Sequence, residues 1–554
     1  MLIKALTLAF TAFFLLFFTS SVFAQSLAIT NARIVTVSGA PIEKGTIVIR
    51  DGLIQSVGTD IKPPADAKVI DGTGLTVYPG FIDAYSYLGL PAPAPRPSPS
   101  PGGGAAFLAA QMQQQAQPSN SNYPAGLRPE EMVVDDIRAG NDQFEANRAA
   151  GFTTALIVGR TGIFNGQSVL IDLAGESVSK MTVKSPVALH ITFATIPGTY
   201  PGSLLGTFAA LRQMFNDARR LDEWKKAYAA NPKGIQRPES DRSLEALIPV
   251  VKGEVPVVFN ANRQNEIDRA LNLAKEYNLK AIIAGGQEAG QFVNRLKAQG
   301  VSVLLNANYP RRTTAASPEA DPEPLETLRF RAEVPKTAAK LAAAGVKFAI
   351  YSGGANNLQD VFLNLGKSIE SGLSREEAIR ALTLNAAEIF GVSDRTGTIE
   401  QGKIANLTVV KGDLFSRDKT VTHVFIDGML FEPKAPTRPE GPMRPQNPNG
   451  SPNVAVNYSG SYSITIQAPG QSLTGTLVLN QQGNTLTGTL TTELGTVQIK
   501  DGRAGADGIS FSGTAEVGGQ AVEFSVRATI SGNQLSGTVS SPQGNLPITG
   551  TKIP

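Results

Sequence analysis

The chain has no cysteine and only two histidines, His190 and His423, in 554 residues. The first absence excludes disulfides, thiolate metal sites and cysteine nucleophiles. The second leaves very little imidazole for a metal centre or a general base. Charge of one sign is not in excess either: 50 basic and 47 acidic side chains give +3, without long runs. That balance excludes the concentrated basic face that nucleic-acid binding requires. No Gly-rich phosphate loop and no serine nucleophile elbow is present. Past the N-terminus no apolar run reaches the ~20 residues of a membrane-spanning helix.

Hydrophobic residues make up 42% and charged residues 18% of the chain, an ordinary globular balance. The length calls for more than one core. Residues 1–24 read as a secretory signal peptide. Lys4 precedes the apolar run Ala5–Phe18, and the small-residue exit Val22-Phe23-Ala24 precedes Gln25. The expected location is therefore secreted or periplasmic, with no membrane span after cleavage. A signal retained as an anchor is the alternative.

Residues 25–79 alternate β-branched and polar side chains between Gly-containing turns, as in "GTIVIRDGLIQSVG". A segment of the same style returns at 393–432. The two pieces are expected to share one small composite β domain with the intervening chain inserted between them. That chain, 80–392, alternates buried strand runs ("TTALIV", "SPVALHITF", "VPVVFNA", "LKAIIAGG", "VSVLLNA", "VKFAIYSG") with helix-period segments. One helix puts Ile267, Leu271 and Ala274 on one face. Another opens with the capping box Ser374 to Glu377 and stops at Gly391. Such repetition predicts an α/β fold built around a (β/α)8 TIM barrel.

Residues 91–126 break the pattern with a proline at every second position from Pro91 to Pro101, then a Gln-rich run. They read as an insertion rather than a core element. Residues 433–457 read as a linker. Residues 458–554 repeat the phrases "LTGTLVL", "LTGTLTT", "LSGTVSS" and predict an antiparallel all-β barrel or sandwich.

The phrase "VIDGTGLTVYPGFIDAYSYLGL" at 69–90 resembles the strand 1 region of the amidohydrolase superfamily, in particular its imidazolonepropionase-like members. Pro79, Gly80, Phe81, Ile82 and Asp83 match a pattern that continues there into His-x-His. "GLSREEAIRALTLNAAEIFGVSDRTGTIEQGKIANLTVVKGD" at 372–413 resembles the family's final helix and returning sheet. The resemblance covers about residues 27–432 and implies a barrel with a divalent metal, commonly zinc, at the C-terminal ends of its strands. Its ligands would be His-x-His on strand 1, one histidine each on strands 5 and 6, and an aspartate on strand 8. The metal would lower the pKa of a bound water and polarise a scissile carbonyl.

The sequence departs from that pattern at each place. His-x-His becomes Tyr85-Ser86-Tyr87. The strand 5 position falls at or beside Asn260, the strand 6 position near Gly285, the strand 8 position near Gly353. His190 stands on strand 4, where some members carry a lysine. Tyr85, Tyr87, His190, Asn260, Asn262, Gly285 and Gly353 therefore outline a vestigial pocket. Asn, Ser and Tyr are poor zinc ligands, so no cofactor is expected. Tyr85 and Tyr87 either fill the vacated cavity or line a phenolic pocket. His190 is either a core residue or a lone base.

Three functions follow. One is a catalytically silent homologue acting as a binding or partner subunit. Its partner would be an active amidohydrolase paralogue, a second copy of the chain or a small polar ligand. Another is a hydrolase of C–N bonds with an unusual or metal-independent site. The third is an interaction protein whose C-terminal β domain captures a partner.

Overall fold

The computed structural model describes residues 26–91, 123–140, 142–195, 200–312, 323–353 and 358–433. It also describes 458–553, apart from 469–470, 484, 494, 506–507, 518–519 and 542–543. The signal segment, most of the Pro/Gln-rich insertion and all but the first residue of the linker lie outside the described residues. The chain divides into two compact units, Met1–Thr437 and Arg438–Pro554.

The first unit begins with β1 (Leu27–Ile34), β2 (Ile42–Arg50), β3 (Leu53–Gly58), β4 (Lys68–Asp71) and β5 (Leu75–Pro79). The barrel strands follow. They are β6 (Phe81–Ser86), β7 (Phe152–Ile157), β8 (Phe164–Gln167), β9 (Val169–Asp172), β11 (Leu189–Thr192), β12 (Val257–Ala261), β13 (Ala281–Gly285), β14 (Ser302–Asn306) and β15 (Phe348–Tyr351), with the short β10 (Thr182–Lys184) beside β9. Then β16 (Leu407–Lys411), β17 (Thr420–Ile426) and β18 (Met429–Phe431) return to the first sheet. There β16 pairs antiparallel with β5, Val409 opposite Val77. The sheet order β18-β17-β16-β5-β1-β2-β3 thus draws both ends of the insertion into one composite domain. Its core of Ile29, Ile34, Ile47, Ile49, Val77, Leu407 and Phe425 is fully buried.

In the barrel, β11 to β15 run parallel in sequence order, and β6 pairs parallel with β7. All six strand runs read from the sequence are present. The third barrel position differs from a regular β/α repeat. It is held by β8 and β9, one nearly continuous segment running antiparallel to both neighbours, with β8 against β11 and β9 against β7. The segment changes partner at Ser168, whose N–H donates to Ala188 O and whose carbonyl accepts from Val187 N. Helices with one apolar face cover the outside. Gln264–Tyr277 buries Ile267, Leu271 and Ala274 and ends at Asn278 in the left-handed conformation. Arg375–Leu382 is capped by Ser374, whose hydroxyl accepts from Glu377 N at 3.1 Å. Inside, Ile82, Ala84, Leu156, Leu170, Ala188, Val258, Ile282, Ala284, Leu304 and Ala349 fill the lumen.

The second unit is a closed antiparallel barrel. Its strands are β19 (Gly460–Ala468), β20 (Gln471–Gln482), β21 (Thr485–Thr492), β22 (Gly495–Gln498), β23 (Lys500–Gly505), β24 (Gly508–Val517), β25 (Gln520–Ser531), β26 (Gln534–Ser541) and β27 (Gly544–Lys552). Pairing of β27 with β19 and of β20 with β21 closes the ring, so it is a barrel and not a sandwich. The repeated glycines have a steric cause. A Cβ on Gly475 would lie 2.2 Å from Thr491 O, and on Gly488 1.9 Å from Val478 O. Strands pressed that close cannot carry side chains at those points, which lets the sheet coil tightly.

Candidate functional site

The C-terminal end of the first barrel is occupied by a cluster of aromatic rings. β6 ends in Tyr85-Ser86, and its register against β7 shifts between Asp83 and Ser86. Tyr85 is 6% exposed. Its ring centroid lies 5.7 Å from Tyr87, 5.6 Å from His190 and 5.2 Å from Tyr351. Burial, with the neighbouring phenols, lifts the Tyr85 hydroxyl well above its ordinary pKa, and burial lifts Tyr351 also. Both phenols are therefore neutral at physiological pH. Arg160 closes the cluster: its guanidinium lies 4.7 Å from the Tyr87 ring centroid and donates to Tyr87 O at 3.2 Å.

His190, on β11, is fully buried. Its Nε2 lies 2.9 Å from Ser168 Oγ, and that hydroxyl donates to Ala188 O at 3.1 Å. Which of Nε2 and the hydroxyl donates is set by the imidazole tautomer. Nδ1 has no hydrogen-bond partner among the described residues. Burial pushes the imidazole down to about 3, which keeps it neutral.

Asp83 is buried between the first and last barrel strands. It accepts Ser352 N at 3.0 Å and Ser352 Oγ at 2.9 Å. Burial outweighs these hydrogen bonds and raises its pKa to about 6. It joins β6 to the end of β15 rather than facing the lumen as a free carboxylate. At the opposite, N-terminal end Asp172 is held by Thr154 Oγ1 and Asn406 Nδ2, each at 2.8 Å, and burial raises it too to about 6. Lys419 lies buried nearby on the composite sheet. Its Nζ donates to Ala150 O at 3.3 Å and sits 3.2 Å from the Phe362 ring centroid.

The remaining expected positions lie along the rim. Asn260 is half-buried on β12, in register with Thr192 and Ala284. Asn262 is committed to the loop after β13: its amide donates to Gln287 Oε1 at 3.0 Å and its carbonyl accepts Gln287 N at 3.1 Å. Gly285 has φ +101°, and a Cβ there would lie 3.1 Å from Ala261 O. Gly353 has φ +63°, and a Cβ there would lie 1.9 Å from Asn306 Oδ1. The places expected for a strand 6 histidine and a strand 8 aspartate thus have a left-handed backbone that strains any side chain, and at Gly353 the Asn306 side chain would also have to move. Glu266 and Glu288 are tied up at the start of helix Gln264–Tyr277. Glu266 accepts from the N–H groups of Asn262 and Arg263, and Glu288 accepts from Gln264 N.

The structure therefore brings Tyr85, Tyr87 and His190 together and leaves Asn262, Gly285 and Gly353 outside the cluster. Sequence reasoning missed Tyr351, Asn306, Ser168, Ser352 and Arg160. Tyr351 and Ser352 were within reach, since they immediately precede Gly353 in the strand 8 run. An off-axis cleft of about 630 Å³ lies between helices Gln264–Tyr277 and Leu325–Ala344. Two ion pairs lie in it, Arg263 with Glu288 and Lys340 with Glu333.

The donor set does not fit the zinc that the resemblance implies. His190 Nδ1 is a single ligand atom, the phenols are neutral, and Asp83 is consumed by Ser352. Among the described residues no three of His, Asp and Glu stand close enough to hold a metal ion.

The comparisons with known proteins agree on ancestry. The model of the amidohydrolase family matches residues 323–430. The imidazolonepropionase of Mesorhizobium japonicum is 23% identical over 412 residues, 68% of this chain and 90% of that protein. The imidazolonepropionase of Symbiobacterium thermophilum is 21% identical over 442 residues, 69% of this chain and 90% of its own length. Among solved structures, an amidohydrolase from Thermotoga maritima aligns with a TM-score of 0.59 at 25% identity, over 74% of this chain and 100% of its own. With its composite sheet, its barrel and the strand 1 phrase at the join, the chain belongs to the amidohydrolase superfamily.

Proposed function

We propose that this is an exported amidohydrolase-superfamily protein whose barrel no longer works as a metal-dependent hydrolase and serves as a binding or partner subunit. One observation carries the reading. The place of the His-x-His pair is held by Tyr85-Ser86-Tyr87, with Tyr85 packed into the lumen against His190 and Tyr351. A buried ring cannot be drawn aside for a metal without losing that packing. The partner is an active relative that keeps its histidines, or a second copy of this chain.

The test is metal content per chain, measured on untagged protein after brief chelator dialysis. Near-zero zinc, manganese and iron agrees with the proposal. Close to one equivalent of tightly held transition metal refutes it.

The alternative, a metal-independent hydrolase of C–N bonds, draws on the Ser168–His190 hydrogen bond and the open Nδ1. Against it, Ser168 is completely buried, so no substrate carbonyl reaches its hydroxyl. Turnover of cyclic amides or dipeptides that survives a chelator and falls in Tyr85→Phe and His190→Ala would reinstate it.

A further inference from the structure

The outer wall of the C-terminal barrel carries a second set of chemistry-bearing side chains, unrelated to the barrel lumen of the first unit. Across β23, β24 and β25 the register places Arg503 opposite Ser510 and Ser510 opposite Arg527. Alternation sends all three outward, because Ala504, Ile509, Val526 and Ala528 are the buried neighbours. The two arginine Cα atoms are thus two strand spacings apart, about 10 Å. That gap lets two long guanidinium side chains converge on one group between them.

They line a single concavity of about 510 Å³, whose floor is formed at Gly508, Ala528 and Gly537. The dip has a cause in the backbone. A Cβ on Gly508 would lie 2.3 Å from Ala528 O. With no outward side chain at Gly508, the wall is low beside Ser510, between the arginines. Ser510 stands in the middle and Ser536 at the edge, each supplying a hydroxyl donor.

Among the described residues neither Arg503 nor Arg527 makes an ion pair, although eighteen such pairs exist elsewhere. Asp501, the described carboxylate nearest to Arg503 along its strand, lines the neighbouring groove and accepts from Ser512 Oγ at 3.4 Å. Glu523 lines that same groove. Two unpaired planar forks around hydroxyl donors match a tetrahedral oxyanion, which guanidinium binds in bidentate fashion.

We propose that this concavity is a binding site for a phosphoryl group, held by Arg503 and Arg527 from either side and by the Ser510 hydroxyl between them. The phosphoryl group comes on a small soluble molecule or on a lipid headgroup; the recognition chemistry is the same.

The test uses the full chain and isothermal titration with inorganic pyrophosphate. Arg503→Ala and Arg527→Ala are each expected to weaken binding about tenfold, and the double variant to abolish it. The lysine versions keep the charge but lose the fork, and they should fall between. Lys500→Ala, in the neighbouring groove, should leave affinity unchanged. All these side chains are exposed, and far-UV circular dichroism on each variant shows that the barrel is intact. Sedimentation with phosphatidylcholine vesicles, with and without phosphatidic acid, separates the sources. Acid-dependent sedimentation that pyrophosphate displaces assigns the headgroup; pyrophosphate binding without sedimentation assigns a soluble ligand. The proposal is overturned if pyrophosphate gives no binding, or if its binding is indifferent to both arginines.

Discussion

Replacing Tyr85 by alanine should remove the centre of the aromatic cluster. Tyr85 is almost completely buried and touches Tyr87, His190 and Tyr351 with ring centroids 5.2 to 5.7 Å apart. Truncating a buried aromatic to alanine costs about 3–5 kcal/mol. Three ring contacts at about 0.5–1.5 kcal/mol each place this site in the upper part of that range. The barrel cannot collapse into the space, because the lumen below is packed with Ile82, Val258 and Leu304. The assay is guanidinium unfolding followed by tryptophan fluorescence. The sole tryptophan, Trp224, lies in helix Leu204–Ala230 of the first unit and bonds Gln236 O at 2.9 Å. The signal therefore reads that unit, since the C-terminal unit has no tryptophan. With a denaturant slope of about 6 kcal/mol/M, a loss of about 4 kcal/mol lowers the midpoint by about 0.7 M. Tyr85→Phe loses only a hydroxyl contact and should cost about 1 kcal/mol. A Tyr85→Ala midpoint within about 0.1 M of the parent, where such a small difference marks a solvent-facing side chain, would refute the packed cluster and with it the proposal that the metal site is lost.

Three further outcomes follow from buried charges and glycines. Burial raises the Asp83 pKa from 3.8 to about 6, so its share of stability is complete below pH 3.8 and lost as pH rises through about 6. Asp83→Asn should flatten part of that decline and be at least as stable as the parent at pH 8; Asp172, in the same window, accounts for the rest. An unchanged pH slope in urea titrations would contradict this. Burial lowers Lys419 from 10.5 to about 7, so its contribution is present above pH 10.5 and lost as pH falls through about 7. The Phe362 ring opposes that shift by at most about 2 kcal/mol, less than the penalty. Lys419→Met should abolish the rise in melting temperature between pH 7 and 10, and a persisting rise counts against the assignment. Gly353→Asp, which would restore a carboxylate at the strand 8 position, should cost about 2 kcal/mol or more through its clash with Asn306, with no gain of bound zinc. A stable, zinc-loaded variant would show that position to be open after all.

Much of this was legible in the residues because hydrophobic period and turn chemistry are local. Ser374 to Glu377 reads as a cap and is one. The strand runs in 152–351 are apolar on both faces, as parallel strands under helices must be. The direction of a strand is less visible, since a period of two is the same read either way. The antiparallel segment β8–β9 was therefore not foreseen. A clue did exist: only six residues, 158–163, separate β7 from β8, too few for a helical crossover. At the site, missing histidines are a composition fact and need no fold. What replaces them is a matter of three-dimensional neighbours. Tyr351 meets Tyr85 across 266 positions of chain, and no local pattern encodes that. Asn262 reads from the sequence as part of the vestigial pocket because its amide partner, Gln287, comes from the loop of the next strand and is not visible locally.

The Asp83–Ser352 link has a kinetic side. It ties residues 269 positions apart, whereas β7 and β8–β9 form a hairpin whose partners are near neighbours in sequence. Loop-closure entropy grows with that separation, and local pairs form in microseconds. The hairpin is thus a natural nucleus, and the ring shuts only after five parallel strands have been laid down between its two ends. Shutting it buries a carboxyl group near its own titration point. The acidity of the surroundings therefore sets how firmly the last stave of this barrel is held.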